Sequence, residues 1–271
     1  MTFFAKKSLG QNFLKSKSAL KSIRDAADPN GLDIILEVGP GKGALTEVLL
    51  PFPAKIIAIE KDSRLIPLLK EKFAEAIATG KLDIIEQDIL EFDPMALKGY
   101  NLEYFDYKIV ANIPYYITGA LLRKFLTTEY QPTLMVLLLQ KEVAKRIVAR
   151  DEKESLLSIS VKVYGTPKYI ETVKAKYFSP EPKVDSAILL IEHISKKFFT
   201  ENNLDEENFF ELVRAGFAHK RKVLINNLKN TFPKDENKDI REIFNHVGIS
   251  EKARAEDLNL EQWKSLAQHF L

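Results

Sequence analysis

No cysteine occurs among the 271 residues. That excludes disulfides and thiolate metal sites, and it is compatible with a reducing compartment. Long hydrophobic runs are missing too. The longest, such as Leu134 to Leu139, are far too short to span a bilayer. The N-terminus, Met1-Thr-Phe-Phe-Ala-Lys-Lys-Ser8, lacks the basic-then-apolar order of a secretory signal. A cytoplasmic protein without a membrane partner is therefore expected. Acidic residues are absent before Asp25, whereas Lys6, Lys7, Lys15, Lys17, Lys21 and Arg24 are all basic. They are absent again between Leu212 and Lys234, a stretch holding Arg214, Lys220, Arg221, Lys222, Lys229 and Lys234. The net charge of +2 hides these two patches, which suit either a polyanionic partner or solvated helix faces.

What is present is ordinary in bulk, with 45% hydrophobic and 29% charged residues, enough for a sizeable core. The order of the segments is more informative. Asp33–Val38, Lys55–Glu60, Leu82–Gln87, Tyr107–Ala111 and Leu134–Leu139 read as strands. Between and after them, Ala44–Leu50, Arg64–Ala78, Leu121–Leu126 and Lys141–Arg150 read as helices. This alternation predicts an α/β fold: a parallel sheet of Rossmann type with helices on both faces. Tyr169–Phe178 and Ser186–Glu192 read as further strands. After His193 the segments Glu206–Phe217, Arg221–Leu228, Asp239–Val247 and Leu260–Phe270 are helix-like. The expected division is residues 1–195 for an α/β domain and 196–271 for a small all-helical one.

Four features carry chemistry. Gly39-Pro-Gly-Lys-Gly43 follows the first strand and opens a helix, as a nucleotide-binding turn does, although a tight turn alone would have the same look. Glu60 ends the second strand, 21 residues after Gly39, where a carboxylate can hold ribose hydroxyls. Asp88 ends the third strand and suits either an adenine amine or a turn cap. A dinucleotide usually takes a third glycine one residue later, with its pyrophosphate at the helix N-terminus. Glu37 beside the turn would repel that group but could meet an amino group, so S-adenosylmethionine is the better match. Asn112-Ile-Pro-Tyr115 ends the fourth strand. It offers an amide oxygen for an exocyclic amine and a ring to stack on the base carrying it. None of the four histidines, His193, His219, His246 and His269, falls within it.

With these residues in place, the chain closely resembles the adenine N6,N6-dimethyltransferases of bacterial small-subunit ribosomal RNA over nearly its whole length. The matching runs are Lys7-Ser-Leu-Gly-Gln-Asn-Phe-Leu14, Glu37–Thr46, Asn112–Tyr115, Gln140–Arg146, Phe178-Ser-Pro-Glu-Pro-Lys-Val-Asp-Ser-Ala187, Ala218–Leu224 and Arg254–Leu258. The resemblance implies that Gln11, Asn12 and Leu14 close over S-adenosylmethionine, with Gly39 and Gly41 beneath it. Glu60 would hold its ribose, Asp88 its adenine, and Asn112 would touch both reactants. Asn112 and the Pro114 backbone would grip the target amine, while Tyr115 and Phe178 stack on the target base; the residues alone read Phe178 as a strand-end core aromatic, and only the resemblance gives it this role. Lys220, Arg221 and Lys222 would bind RNA through the C-terminal domain. A monomer acting on RNA in a pre-assembled small subunit, without a metal, is implied. Tyr116 and Thr118 depart from the family's usual Asn-Leu-Pro-Tyr-Asn-Ile-Ser, and Lys220 stands where arginine is common. The rival readings are a large-subunit RNA adenine methyltransferase, an assembly factor acting by binding alone, and an NAD-dependent oxidoreductase.

Overall fold

The apolar runs of the N-terminal half become strands because hydrophobic residues on both sides of each run bury both faces of a sheet. The computed structural model describes residue 6 and residues 9–100, 107–231 and 240–270. Lys7, Ser8, Lys234 and Asp239, which figured in the expectations above, lie outside the described residues. In chain order the elements begin with β1 (Phe13–Leu14), α1 (Lys17–Ala27), β2 (Ile34–Val38), α2 (Ala44–Leu49) and β3 (Lys55–Glu60). Next come α3 (Ile66–Lys72), α4 (Ala74–Ala78), β4 (Leu82–Glu86), β5 (Tyr107–Asn112), α5 (Thr118–Thr127) and β6 (Leu134–Gln140). Then follow α6 (Lys141–Val148), α7 (Leu156–Lys162), β7 (Thr166–Val173), β8 (Phe178–Ser179) and β9 (Ser186–Glu192). The chain continues through α8 (Lys197–Glu201), α9 (Glu206–Gly216), α10 (Leu224–Thr231), α11 (Ile240–Val247) and α12 (Leu260–Phe270).

One compact unit comprises Met1–Ala144 with Thr166–Ile194. Its seven-stranded sheet has the order β4-β3-β2-β5-β6-β9-β7. Strands β2 to β6 pair in parallel, as expected. The two strands read after residue 155 extend this sheet differently, β9 running antiparallel to both β6 and β7. β7 and β9 pair directly as an antiparallel ribbon, so the last two strands need no crossover helix. On one face Ile35, Ile56, Ala58, Val110, Val136 and Ile188 join Leu20, Ile23, Leu45, Leu69 and Phe73 in a single core. The alternate residues Leu36, Ile57, Ile109, Met135 and Leu189 are equally buried, so the sheet is covered on both sides.

Several boundaries differ from the sequence reading for local reasons. The expected helix over 64–78 is interrupted at Phe73, whose backbone leaves helical geometry (φ −114, ψ 27). The alternating run through Phe178 is two strands rather than one. The ladder with β9 ends at Val173 opposite Ser186, and Asp185 accepts from the Ala175 amide at 3.1 Å. Beyond a turn at Ala175–Tyr177, Phe178–Ser179 pairs antiparallel with Phe13–Leu14. Helix α1 was not singled out in advance; Ser16 caps it by accepting from the Ala19 amide at 3.3 Å.

The other compact unit comprises Lys145–Gly165 with Ser195–Leu271. Asp205 caps α9 by accepting from the Asn208 amide at 2.9 Å. Trp263 of α12 is fully buried and stacks on Phe217, with ring centroids 5.6 Å apart. Gly216 leaves room for that indole: a Cβ there would lie 2.3 Å from it.

Candidate active site

β2 lies between β3 and β5 in the sheet, so the strands that follow it along the chain add on opposite sides. Open α/β sheets bind ligands at the C-terminal ends of such strands. In register, Val38 stands opposite Ile59 and Ala111. Gly39, Glu60 and Asn112 therefore emerge at one edge, with Glu60 and Asn112 two strand spacings, about 10 Å, apart.

The turn after β2 holds Gly39, Gly41 and Gly43 at φ of 66, 60 and 76, a conformation that L side chains rarely adopt. Steric crowding adds to the requirement at two of them. A Cβ at Gly41 would lie 3.0 Å from the Phe13 ring, and one at Gly43 would lie 2.4 Å from the Phe73 ring. Glu60 ties the turn to β3. Its Oε2 accepts from the Gly41 amide at 3.0 Å and its Oε1 from the Asp62 amide at 2.8 Å. Burial pushes the Glu60 pKa up, while these two amides pull it back. About two of its four lone-pair positions stay open for hydroxyl donors.

Glu37 lies elsewhere than expected. Its carboxylate is fully buried and is not among the residues lining the cavity. Neither oxygen has a hydrogen-bond partner of normal geometry among the described residues. Burial pushes its pKa up to about 8, with a partial opposing effect from nearby Thr46. That placement leaves no direct contact with an amino group in the cavity, because a residue on the interior of β2 points into the sheet's packed layer.

Asp88 does line the cavity. It also caps the turn after β4, its Oδ1 accepting from the Leu90 amide at 3.0 Å, and its Oδ2 pairs with Lys61 at 2.5 Å. Burial raises its pKa, but the Lys61 ammonium and the Leu90 amide outweigh that and hold it below the usual carboxylate range.

The acceptor motif faces the same space. The Asn112 side-chain NH2 donates to the Asn12 carbonyl at 3.1 Å. Its Oδ1 has no hydrogen-bond partner among the described residues. Pro114 starts a turn over Tyr115–Ile117, and the Tyr115 and Ser186 hydroxyls are 2.8 Å apart. Tyr116 is 62% exposed, with ring carbons 3.3–3.4 Å from the Cβ position of Gly10.

Residues 9–14 run across this edge. Gln11 donates to Asp62 at 2.8 Å, Phe13 lies against Gly41, and Leu14 is buried. Gln11, Asn12, Leu14, Gly39, Gly41, Glu60, Asp88, Asn112, Pro114 and Tyr115 together line one cavity of about 770 Å³. Asp62, Lys61 and Arg64 were missed by the sequence reading. A carboxylate two residues past Glu60 was visible as a signal, but not its partner 51 residues away. Phe178 needs a correction. Its ring is 3% exposed and belongs to the core, because pairing opposite Leu14 turns it inward; only its neighbour Ser179 lines the cavity. A base cannot stack on it in this arrangement.

The cavity fits an adenosine-type methyl donor. It is of ligand size, it offers carboxylate acceptors at Glu60 and Asp88, and it has open space above Gly39. Glu47 in the first turn of α2 disfavours a pyrophosphate there. In the helical unit, Lys220, Arg221 and Lys222 occupy the turn between α9 and α10, and the helix expected from Arg221 begins instead at Leu224. All three are exposed, and none has a side-chain partner among the described residues.

The sequence profile of the ribosomal RNA adenine dimethylase family matches residues 2–270. The ribosomal RNA small subunit methyltransferase A of Dehalococcoides mccartyi is 42% identical over 265 residues, 98% of this chain and 88% of that protein. Among solved structures, a dimethyladenosine transferase from Plasmodium falciparum gives a TM-score of 0.77 at 28% identity, covering 95% of this chain and 97% of the other. The 23S ribosomal RNA methyltransferase ErmE gives 0.76 at 23% identity, covering 96% and 99%, a likeness of fold.

Proposed function

The chain belongs to the ribosomal RNA adenine dimethylase family, and on that ground we propose that it places two methyl groups on N6 of adenines, two adjacent ones, in small-subunit ribosomal RNA. It is an S-adenosylmethionine-dependent enzyme. Glu60 holds the ribose, Asp88 meets the adenine, and Gly39 and Gly41 let the backbone approach. Gln11, Asn12 and Leu14 close over them. When bound, S-adenosylmethionine supplies a methyl group on a sulfonium.

The observation that carries this reading is the Asn112 carboxamide, anchored by its NH2 with its oxygen free, in the cavity that also holds the glycine turn and Glu60. Adenine N6 is a weak nucleophile because its lone pair is delocalised into the ring. Acceptance of its hydrogens, by the Asn112 oxygen and by the main-chain carbonyl at Pro114, favours a pyramidal nitrogen that can attack. After one transfer a single hydrogen remains, and the site still has an acceptor for it. Once the nitrogen bears four bonds its proton leaves readily for water, so the motif needs no histidine. Tyr115 stacks on the base, contributing roughly 1–3 kcal/mol against the cost of unstacking it. Phe178, in the core behind Leu14, acts as support for the segment that covers the cavity. Glu37, under the turn, supports it from within the sheet.

Lys220, Arg221 and Lys222 contact phosphates, which gives affinity and salt dependence rather than sequence choice. The substrate is RNA in a partly assembled small subunit, and the enzyme works as a monomer in the cytoplasm. No helix of the described residues is long and apolar enough to cross a membrane. The test is methyl transfer to partly assembled small subunits followed by mass analysis of their RNA. Doubly methylated adenines in the small-subunit RNA are expected; modification confined to large-subunit RNA would overturn the substrate assignment.

A further inference from the structure

A carboxamide has two ends of nearly equal shape and opposite hydrogen-bonding sense. Rotated by half a turn, Asn112 would present its NH2 to the acceptor amine, donor against donor. Something must discriminate the two orientations. Among the described residues, the Asn112 carboxamide has one partner, the Asn12 carbonyl at 3.1 Å. A carbonyl accepts only, so it holds the NH2 end and leaves Oδ1 toward the cavity.

Asn12 can do this only while residues 9–14 stay where they are. Their C-terminal end is held by pairing of Phe13–Leu14 with Phe178–Ser179. Their N-terminal end is held by the Gln11 side chain, which donates to Asp62 Oδ2 at 2.8 Å. Asp62 is 4% exposed and committed elsewhere as well. Its amide donates to Glu60 Oε1 at 2.8 Å, and its oxygens accept from the Arg64 Nε at 2.8 Å and Nη2 at 2.6 Å. The Arg64 guanidinium, with help from Gln11, holds its carboxyl down to about 2 against the effect of burial, so near neutral pH it is a carboxylate that accepts from Gln11. A chain of contacts thus runs from Glu60 through Asp62, Gln11 and Asn12 to Asn112.

We propose that Asp62 is a positioning residue for methyl transfer: by clasping Gln11 it holds the Asn12 carbonyl where it sets which end of Asn112 faces the acceptor amine. This rests on the amine-gripping role of Asn112 given above. The clasp also makes the acceptor half of the site competent only when the segment that covers the cofactor half is seated.

The test uses the full chain and the variants Gln11→Ala, Asp62→Ala, their double, and the swap Gln11→Glu with Asp62→Asn, which reverses donor and acceptor. Two readouts are taken. One is kcat and KM for RNA. The other needs no turnover: the Asn112 side-chain NH2 resonances of isotope-labelled protein, identified by their loss in Asn112→Asp. The inference expects kcat to fall about tenfold in each single variant, the scale of one hydrogen bond to a charged group, with KM for RNA unchanged. The double should be no worse than either single, and the swap should recover most of the loss. The Asn112 resonances should move to the position of a solvated amide in both single variants and return in the swap. Multiplying deficits in the double would overturn it, since that marks independent roles. Unmoved Asn112 resonances in Gln11→Ala would overturn it even if the wild type methylated no RNA, the result that would instead remove the reading of the reaction.

Discussion

Replacing Gly43 and Gly39 by alanine, one at a time, separates two tasks within a single five-residue turn. A methyl at Gly43 would sit 2.4 Å from Cε2 and 2.7 Å from Cζ of Phe73, with φ at +76. Holding an L residue in the left-handed region costs roughly 1–2 kcal/mol, and forcing a methyl into packed surroundings adds about 1–3 kcal/mol. Stiffening of the unfolded chain returns part of this, about 0.4–1 kcal/mol. The net loss is about 2–4 kcal/mol, and at about 2–4 °C per kcal/mol for a domain of this size Tm should fall by about 5–15 °C. Gly39 has a similar φ, +66, but nothing lies within 4 Å of a Cβ there. Only the torsional cost remains, about 1 kcal/mol, or a few degrees. Gly39 lines the cavity and Gly43 does not, so the Gly39 methyl would occupy ligand space. Thermal melts without ligand should show the large shift for Gly43→Ala and the small one for Gly39→Ala. Calorimetric titration with S-adenosylmethionine should show weaker binding, about tenfold or more, for Gly39→Ala. Equal Tm shifts, or undiminished binding by Gly39→Ala, would refute the reasoning.

Asn112→Ala should keep the affinity for S-adenosylmethionine within about threefold while turnover falls about a hundredfold or more, the scale of losing one pre-organised polar group; wild-type turnover in single-turnover assays would remove the amine-gripping role. Glu37 gives a pH dependence of definite sign. Folded, it is pushed up to about 8 by burial, against an ordinary 4.5, so the native state binds a proton that the unfolded chain releases. Its contribution to stability is therefore present below pH 4.5 and is lost as pH rises toward 8. Glu60, also raised by burial, acts in the same sense. Melts of Glu37→Gln should accordingly decline less between pH 5 and 8 than those of the wild type, and parallel curves would sink the assignment. Changing Lys220, Arg221 and Lys222 together to glutamate should weaken RNA binding and flatten its dependence on salt, with S-adenosylmethionine affinity unchanged; equal salt slopes in the two proteins would argue against phosphate contacts there.

Much of this molecule was legible from its residues. The central strands β2, β3 and β6 are nearly continuous apolar runs, as strands buried on both faces must be, whereas the edge strand β4 carries Asp83 and Glu86 and is only half-buried. The glycine turn, Glu60, Asp88 and Asn112–Tyr115 could be read as neighbours because each sits at a strand end, and parallel strands bring such ends to one edge of the sheet, where they line one cavity. The match of motifs named the adenine dimethylase family before the geometry did. Elements whose identity depends on partners distant in sequence were not legible. Alternation carried through Phe178 as though one strand were present. The Asp185 bond to Ala175 and the pairing with Leu14 broke that run in two and turned the ring into the core. Glu37 read as a ligand contact because its place beside the turn was visible while its direction was not. Period-two geometry sends a strand residue inward or outward, and that depends on which face the sheet buries. The Gln11–Asp62 bond and the Asn12–Asn112 bond join residues 51 and 100 positions apart. Sequence determined which chemical groups this protein carries and the order in which strand ends present them. Only tertiary packing decided which of those groups meet, because hydrogen bonds act over a few ångströms and the separation along the chain says little about such distances.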